Sequence, residues 1–206
     1  MTQEIDLLRN GPDDAATTLI LAHGAGAPMD TPFMDTIAKG VAEAGIAVIR
    51  FEFPYMMRRR EDGKRRPPDR QPALLETWRA VFSSATSARI AIGGKSMGGR
   101  MASLIADEVG ATSLVCLGYP FHPPGKPDRL RTEHLATMQT PTLILQGERD
   151  PFGTKAEVDG YDLADTIEVQ WLGDGNHDLA PRKKSGRTHA QNLEETVSGI
   201  IHFLSK

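Results

Sequence analysis

One cysteine, Cys116, stands in a chain of 206 residues. With no second thiol there is no intramolecular disulfide, which excludes a disulfide-held scaffold and leads us to expect a reducing, cytoplasmic setting. No apolar run approaches the roughly 20 residues that a membrane span requires, so no membrane partner is expected. The opening MTQEIDLLRNG carries acids where a signal peptide would carry a basic and then an apolar segment, and no secretory leader is expected. Positive charge is not in excess: 24 Lys and Arg face 27 Asp and Glu, a net charge of −3, which disfavours general nucleic-acid binding. Nowhere do His, Cys and carboxylates fall at metal-ligand spacing, so no metal is expected. Internal repeats and low-complexity blocks are also missing.

What remains is an ordinary globular balance, 39% hydrophobic and 25% charged, long enough for one well-cored domain over residues 1–206 and short for two. Short apolar runs rich in β-branched residues alternate with segments of helical period. Thr18–Ala22, Ile46–Phe53, Arg89–Gly93, Ser113–Gly118, Pro141–Gly147 and Thr166–Gly173 read as strands, with Glu4–Arg9 as an edge strand. Phe33–Ala44, Ala73–Ser83, Met97–Val109, Lys155–Tyr161 and about Ala190–Leu204 read as helices. Such alternation predicts an α/β fold, a mostly parallel central sheet with helices on both faces. Sites of these sheets lie beyond the carboxyl ends of the strands, which directs attention to the loops after Ala22, Phe53, Gly93, Gly118, Gly147 and Gly173.

One of those loops carries two competing motifs. In RIAIGGKSMGGRMASLIA, residues 89–106, Gly94-Lys95-Ser96 resembles the tail of a phosphate-binding P-loop, while Gly94 to Gly98 reads as G-x-S-x-G. A P-loop needs a further glycine five residues before Gly94, where Arg89 stands, and the residues between are strand-like. A dinucleotide G-x-G-x-x-G fails as well, because position 96 would have to be glycine, so no nicotinamide cofactor is expected. G-x-S-x-G fits: an apolar strand runs into the motif, a helix follows, and small residues flank the serine where a strained turn needs them.

Two later strand ends complete a nucleophile–base–acid set in the chain order that an α/β-hydrolase uses. After PTLILQG comes Asp150, 54 residues beyond Ser96; after IEVQWLG comes His177, another 27 on. Glu148 is an alternative acid, though the Asp150-Pro151 pair marks the tight turn expected there. Upstream, His23-Gly24-Ala25-Gly26 ends a strand, and its glycines let backbone N–H groups turn toward a developing oxyanion. The expected donors are the amides of Met97, at a helix start, and of Ala25, with Gly26 as the alternative.

The stretches LAHGAGAPMDTPFM, GGKSMGGRMAS, LGYPFHPPGKP, TLILQGERDPFG and GDGNHDL together resemble a small α/β-hydrolase branch. That branch includes testis-expressed protein 30 and the KANSL3-type subunit of a histone-acetyltransferase complex, and it is related to dienelactone hydrolases. The resemblance runs from about Leu19 to Leu204 and implies a triad on Ser96, Asp150 and His177. It names no substrate, and its chromatin relatives leave a non-catalytic interaction protein as the alternative. Only 21 residues, Tyr119–Gln139, separate two consecutive strands, too few for a large lid domain, so an open site is expected.

The expected reaction is cleavage of a small carboxylic ester, thioester or lactone through an acyl-enzyme, with no cofactor and at most a weak homo-oligomer. Gly26, Tyr119, Phe121 and His122 are candidate pocket residues. Cys116 and His23 read as structural, and His134, His189 and His202 as surface groups. The segment Arg58–Arg70 holds seven basic and three acidic residues, a local +4. It reads as a solvated loop or as a guide for anionic substrates.

Overall fold

The computed structural model describes residues 5–206. Seven strands form one sheet: β1 (Leu7–Asn10), β2 (Thr17–Ala22), β3 (Ala47–Phe51), β4 (Arg89–Lys95), β5 (Ser113–Leu117), β6 (Thr142–Gly147) and β7 (Ile167–Leu172). Their order across the sheet is β1-β3-β2-β4-β5-β6-β7. Only β1 is antiparallel to its neighbour. The expected edge strand began at Glu4, which lies outside the described residues.

Alternation along the strands divides the core into two layers. Ile20, Ala22, Ile49, Phe51, Ile92, Leu114 and Cys116 face one side, where α3 (Gln71–Ser83) and α4 (Met97–Ser103) cover them. Leu19, Leu21, Val48, Ala91, Val115 and Leu143 face the other, under α1 (Pro32–Glu43) and α7 (His189–Leu204). Trp78 of α3 is fully buried and meets Phe51 edge to face at 4.7 Å. The helix starts follow local chemistry. Thr31 caps α1 by accepting from the Met34 amide, with Pro32 in the first turn. Thr188 and Gln191 form a reciprocal capping box on α7. Among the described residues, no helix is long and apolar enough to cross a membrane.

Three expectations need correction. The basic segment is not simply a loop: Pro54–Asp62 forms a helix, α2, closed by Gly63 in a left-handed conformation. Three of the segment's seven cations form ion pairs, Arg58 with Asp69, Arg60 with Asp30 and Glu52, and Arg66 with Asp62. The run of charge suggested a solvated loop, and these ion pairs, two of them to acids outside the segment, offset its repulsion. Second, the helix expected over Met97–Val109 breaks after Ser103 and resumes as α5 (Ala106–Val109). The Ser103 hydroxyl bonds back to the Arg100 carbonyl at 2.8 Å, a local competitor that bends helices. Third, Lys155–Val158, labelled α6, spans a single turn rather than reaching Tyr161.

The turn between β4 and α4 is packed closely against the end of β2. A Cβ at Gly98 would lie 2.5 Å from the Ala22 carbonyl and 2.6 Å from that of His23. A Gly98→Ala variant should therefore lose about 1–3 kcal/mol of stability through overpacking. Denaturant unfolding checks this; a variant as stable as the parent would mean that the backbone relaxes freely there.

Candidate active site

Ser96 sits at the end of β4 with φ 52° and ψ −114°, a positive φ rarely adopted by a side chain other than glycine. The turn holds because Gly94 takes φ 155° before it and Gly98 meets the β2 end behind it. Backbone bonds pin both sides: the Ser96 amide donates to the Leu117 carbonyl at 3.0 Å, and the Arg100 amide donates to the Ser96 carbonyl at 3.0 Å.

The loops after β6 and β7 bring the other two residues to it. His177 Nε2 lies 2.9 Å from Ser96 Oγ, and His177 Nδ1 lies 2.8 Å from Asp150 Oδ2. A carboxylate only accepts, so the proton of a neutral ring belongs on Nδ1 and leaves Nε2 free to accept from the serine hydroxyl. Asp150 is fully buried, while the His177 side chain is 20% exposed. Glu148, the alternative acid, instead accepts from the Asp174 amide at 2.8 Å and braces the loop before His177.

Around this line of three lie side chains that no motif had singled out. Gln146, buried in β6, donates from Nε2 to Asp150 Oδ2 at 3.0 Å, while its Oε1 accepts from the Tyr119 amide. Phe152 lays its ring against His177, centroids 4.2 Å apart. Lys95, between Gly94 and Ser96, donates from Nζ to the His177 carbonyl at 2.7 Å and pairs with Asp178 at 3.3 Å. Burial holds its ammonium below the usual lysine range, opposed by the charges of Asp178 and Asp150. The Phe152 and Lys95 contacts and the bond from Gln146 to Tyr119 join residues far apart in the chain, whereas Gln146 and Asp150 are four apart.

Ser96 and His177 border a cleft of about 300 Å³, with Gly24, Ala25, Gly26, Pro28 and Phe152 on its walls. The expected pocket residues divide here. Gly26 lines the cleft; Tyr119, Phe121 and His122 do not, being 0%, 0% and 2% exposed. Tyr119 and Phe121 meet in the core with their rings tilted and centroids 4.9 Å apart, and His122 donates to the Pro123 carbonyl. Their apolar area is better buried than presented to water, which sequence position after a strand does not reveal.

The segment after β2 is held from α2. The Tyr55 hydroxyl donates to the Ala25 carbonyl at 3.0 Å, and Arg59 donates to the Gly26 carbonyl at 3.3 Å. His23 is structural: the Phe53 amide donates to Nε2, so Nδ1 carries the proton and donates to the Gly24 carbonyl at 2.6 Å. Cys116 is buried and its thiol pushed up by desolvation, which leaves it a packing residue. His134 is half-buried rather than superficial, with Nε2 2.8 Å from Ser103 Oγ. Among the described residues, no group of His, Cys, Asp and Glu is placed to hold a metal ion.

Residues 15–205 match a family described as an alpha/beta hydrolase domain. Solved structures share the fold at low identity. A lidless a/b serine hydrolase from Xanthomonas campestris superposes with a TM-score of 0.73 at 18% identity, over 98% of this chain and 88% of that one. A dienelactone hydrolase from Anabaena variabilis gives 0.74 at 17%, over 98% and 93%. Est1E from Butyrivibrio proteoclasticus, solved with ferulic acid, gives 0.72 at 14%, over 98% and 96%.

Two outcomes follow from this geometry. Lys95→Met removes the tie between the serine turn and the His177 loop, so amide exchange at Asp178 and Leu179 should accelerate. Global stability should change by less than about 1 kcal/mol, because relief of a buried charge offsets the lost hydrogen bond. Unchanged exchange would show that Lys95 holds nothing. Burial is also the main cause that keeps His23 and His134 below the ordinary histidine value of 6.5. A lowered folded value means that the unfolded chain takes up the proton first. Stability is then complete above about pH 6.5 and declines as pH falls toward the folded values. Urea midpoints should drop between about pH 7.5 and 5.5, and drop less in His134→Gln; identical slopes in the two proteins would exclude a contribution from His134.

Proposed function

The chain belongs to the alpha/beta hydrolase domain family, and we propose that it is a serine hydrolase cleaving a small carboxylic ester, thioester or lactone through an acyl-enzyme. The observation that carries this reading is the continuous line of hydrogen bonds from Asp150 through His177 to Ser96. Ser96 Oγ attacks the acyl carbonyl as its proton passes to His177 Nε2. The imidazolium, stabilised by buried Asp150, then protonates the departing alkoxide or thiolate. Water enters, gives a proton to the same nitrogen and attacks the acyl carbonyl; the serine leaves with that proton, and the free acid is released.

The oxyanion is assigned to two backbone amides. Met97 is the first residue of α4, where no carbonyl precedes it to accept its N–H. Ala25 is the other donor, with Gly26 the alternative; their carbonyls are occupied by Tyr55 and Arg59, which fixes the peptide planes bordering the cleft. Small substrates suit the site because the segment between β5 and β6 carries only a short 3₁₀ turn at Glu133–Thr137 and none of its residues lines the cleft. The resemblance of the motifs quoted above supports membership of the branch of testis-expressed protein 30 and KANSL3 as part of this proposal. A single, buried cysteine suits a cytoplasmic protein.

A fluorophosphonate probe on the purified protein tests the reading, since it labels only an activated serine. Ser96→Ala should abolish labelling and ester cleavage with the fold intact, and His177→Ala should lower kcat by roughly 10³–10⁶. On a panel of acyl esters, short chains should be preferred, without activation by lipid micelles. An unlabelled parent protein would favour a non-catalytic interaction role, and wild-type turnover by Ser96→Ala would remove the nucleophile from the scheme.

A further inference from the structure

A second cavity, of about 620 Å³, lies beside α4 with no wall in common with the cleft at Ser96. Arg100, Arg131 and His134 line it, together with Leu104, Leu130 and one carboxylate, Glu133. Eight of the 16 arginines, Arg50, Arg58, Arg60, Arg66, Arg79, Arg149, Arg182 and Arg187, pair with an acid. Neither Arg100 nor Arg131 forms an ion pair or a side-chain hydrogen bond with any described residue, and Glu133 pairs with neither.

Arg100 is the more exacting case. Its Nε is sealed from water without an acceptor, a condition shared among the arginines only by Arg50. Arg50 spends its terminal nitrogens on the Met29 carbonyl, Asp35 and Asn10; Arg100 has no such bonds. A buried, unanswered guanidinium donor costs stability unless something answers it. The charges also work against each other. Arg131 is held below the usual arginine range by burial first and by Arg100 next, and Arg100 likewise depresses His134 after burial. Two guanidiniums in one recess, unneutralised by the fold, form a receptor for an oxyanion, and their forked donors match tetrahedral phosphate. Leu130, 49% exposed, is one of two large hydrophobic residues left in water among the described residues, and it borders this recess with Leu104.

We propose that this cavity binds a small phosphate monoester, its phosphate between Arg100 and Arg131 and its organic group against Leu104 and Leu130. The site needs nothing from Ser96. Its ligand would nonetheless touch the helix that begins at that serine, one turn further along, where the Arg100 amide bonds the Ser96 carbonyl.

Isothermal titration of the full chain with phenyl phosphate tests this. Saturable binding is expected, weaker by roughly ten- to a hundredfold in Arg100→Gln and in Arg131→Gln, from the loss of a charge-assisted fork. Arg100→Lys should be intermediate, and Ser96→Ala should bind as the parent does, which separates this site from the hydrolase reading. Inorganic phosphate should bind about tenfold more weakly, lacking the apolar contact. If Arg100→Gln unfolds, Arg131→Gln decides alone, since Arg131 lies outside any helix or strand. Absence of saturable binding at millimolar ligand, or affinity unchanged in Arg131→Gln, would overturn the proposal. Equal affinity for inorganic phosphate would overturn the ester class.

Discussion

The Ala22 carbonyl lies 2.3 Å from where a Cβ at Gly94 would begin and 2.5 Å from where one at Gly98 would begin. Everything at the candidate site depends on this approach of backbone to backbone between the end of β2 and the turn from β4 into α4. It brings the segment after β2 against the serine turn, and it lets α4 start without an intervening loop. The cost is a serine in a sparsely populated conformation, of order 1–3 kcal/mol. The sheet offsets it, because β4 lies between β2 and β5 and cannot relax without breaking parallel ladders on both sides.

Around that fixed turn, polar side chains tie together loops that share no sequence neighbourhood. Gln146 joins Asp150 to the Tyr119 amide, Lys95 reaches the His177 loop, and Tyr55 and Arg59 hold the carbonyls after β2. Glu52, nearly buried, joins the Met29 amide to Arg60. Each such group gives up hydration and is tolerated because it is answered. The result is a site on irregular backbone whose geometry is nonetheless set by the sheet.

Helix α4 has two duties on this view. Its first residue lies at the serine and borders the cleft side of the molecule, and one turn on it supplies Arg100 to a separate recess. Because α4 is short and ends where Ser103 bonds back to Arg100, both cavities depend on the same few peptide units. A basic segment that read as a solvated loop begins in a helix, α2, that braces the backbone after β2.

Much was legible in the chain itself. Parallel strands buried on two faces read as apolar β-branched runs, and G-x-S-x-G announces its turn through glycines that sterics demand, so strand order along the chain and the positions of Ser96, Asp150 and His177 followed from local pattern. Only the tertiary structure decided the rest. It made Tyr119, Phe121 and His122 core rather than cleft, because a loop residue's burial depends on what covers it. It showed Pro54–Asp62 to be helical, with Arg58 and Arg60 answered by Asp69, Asp30 and Glu52, none of which lies in that helix. It also left Arg100 and Arg131 unanswered while pairing other arginines, because an ion pair is a relation in space between residues that the sequence keeps far apart.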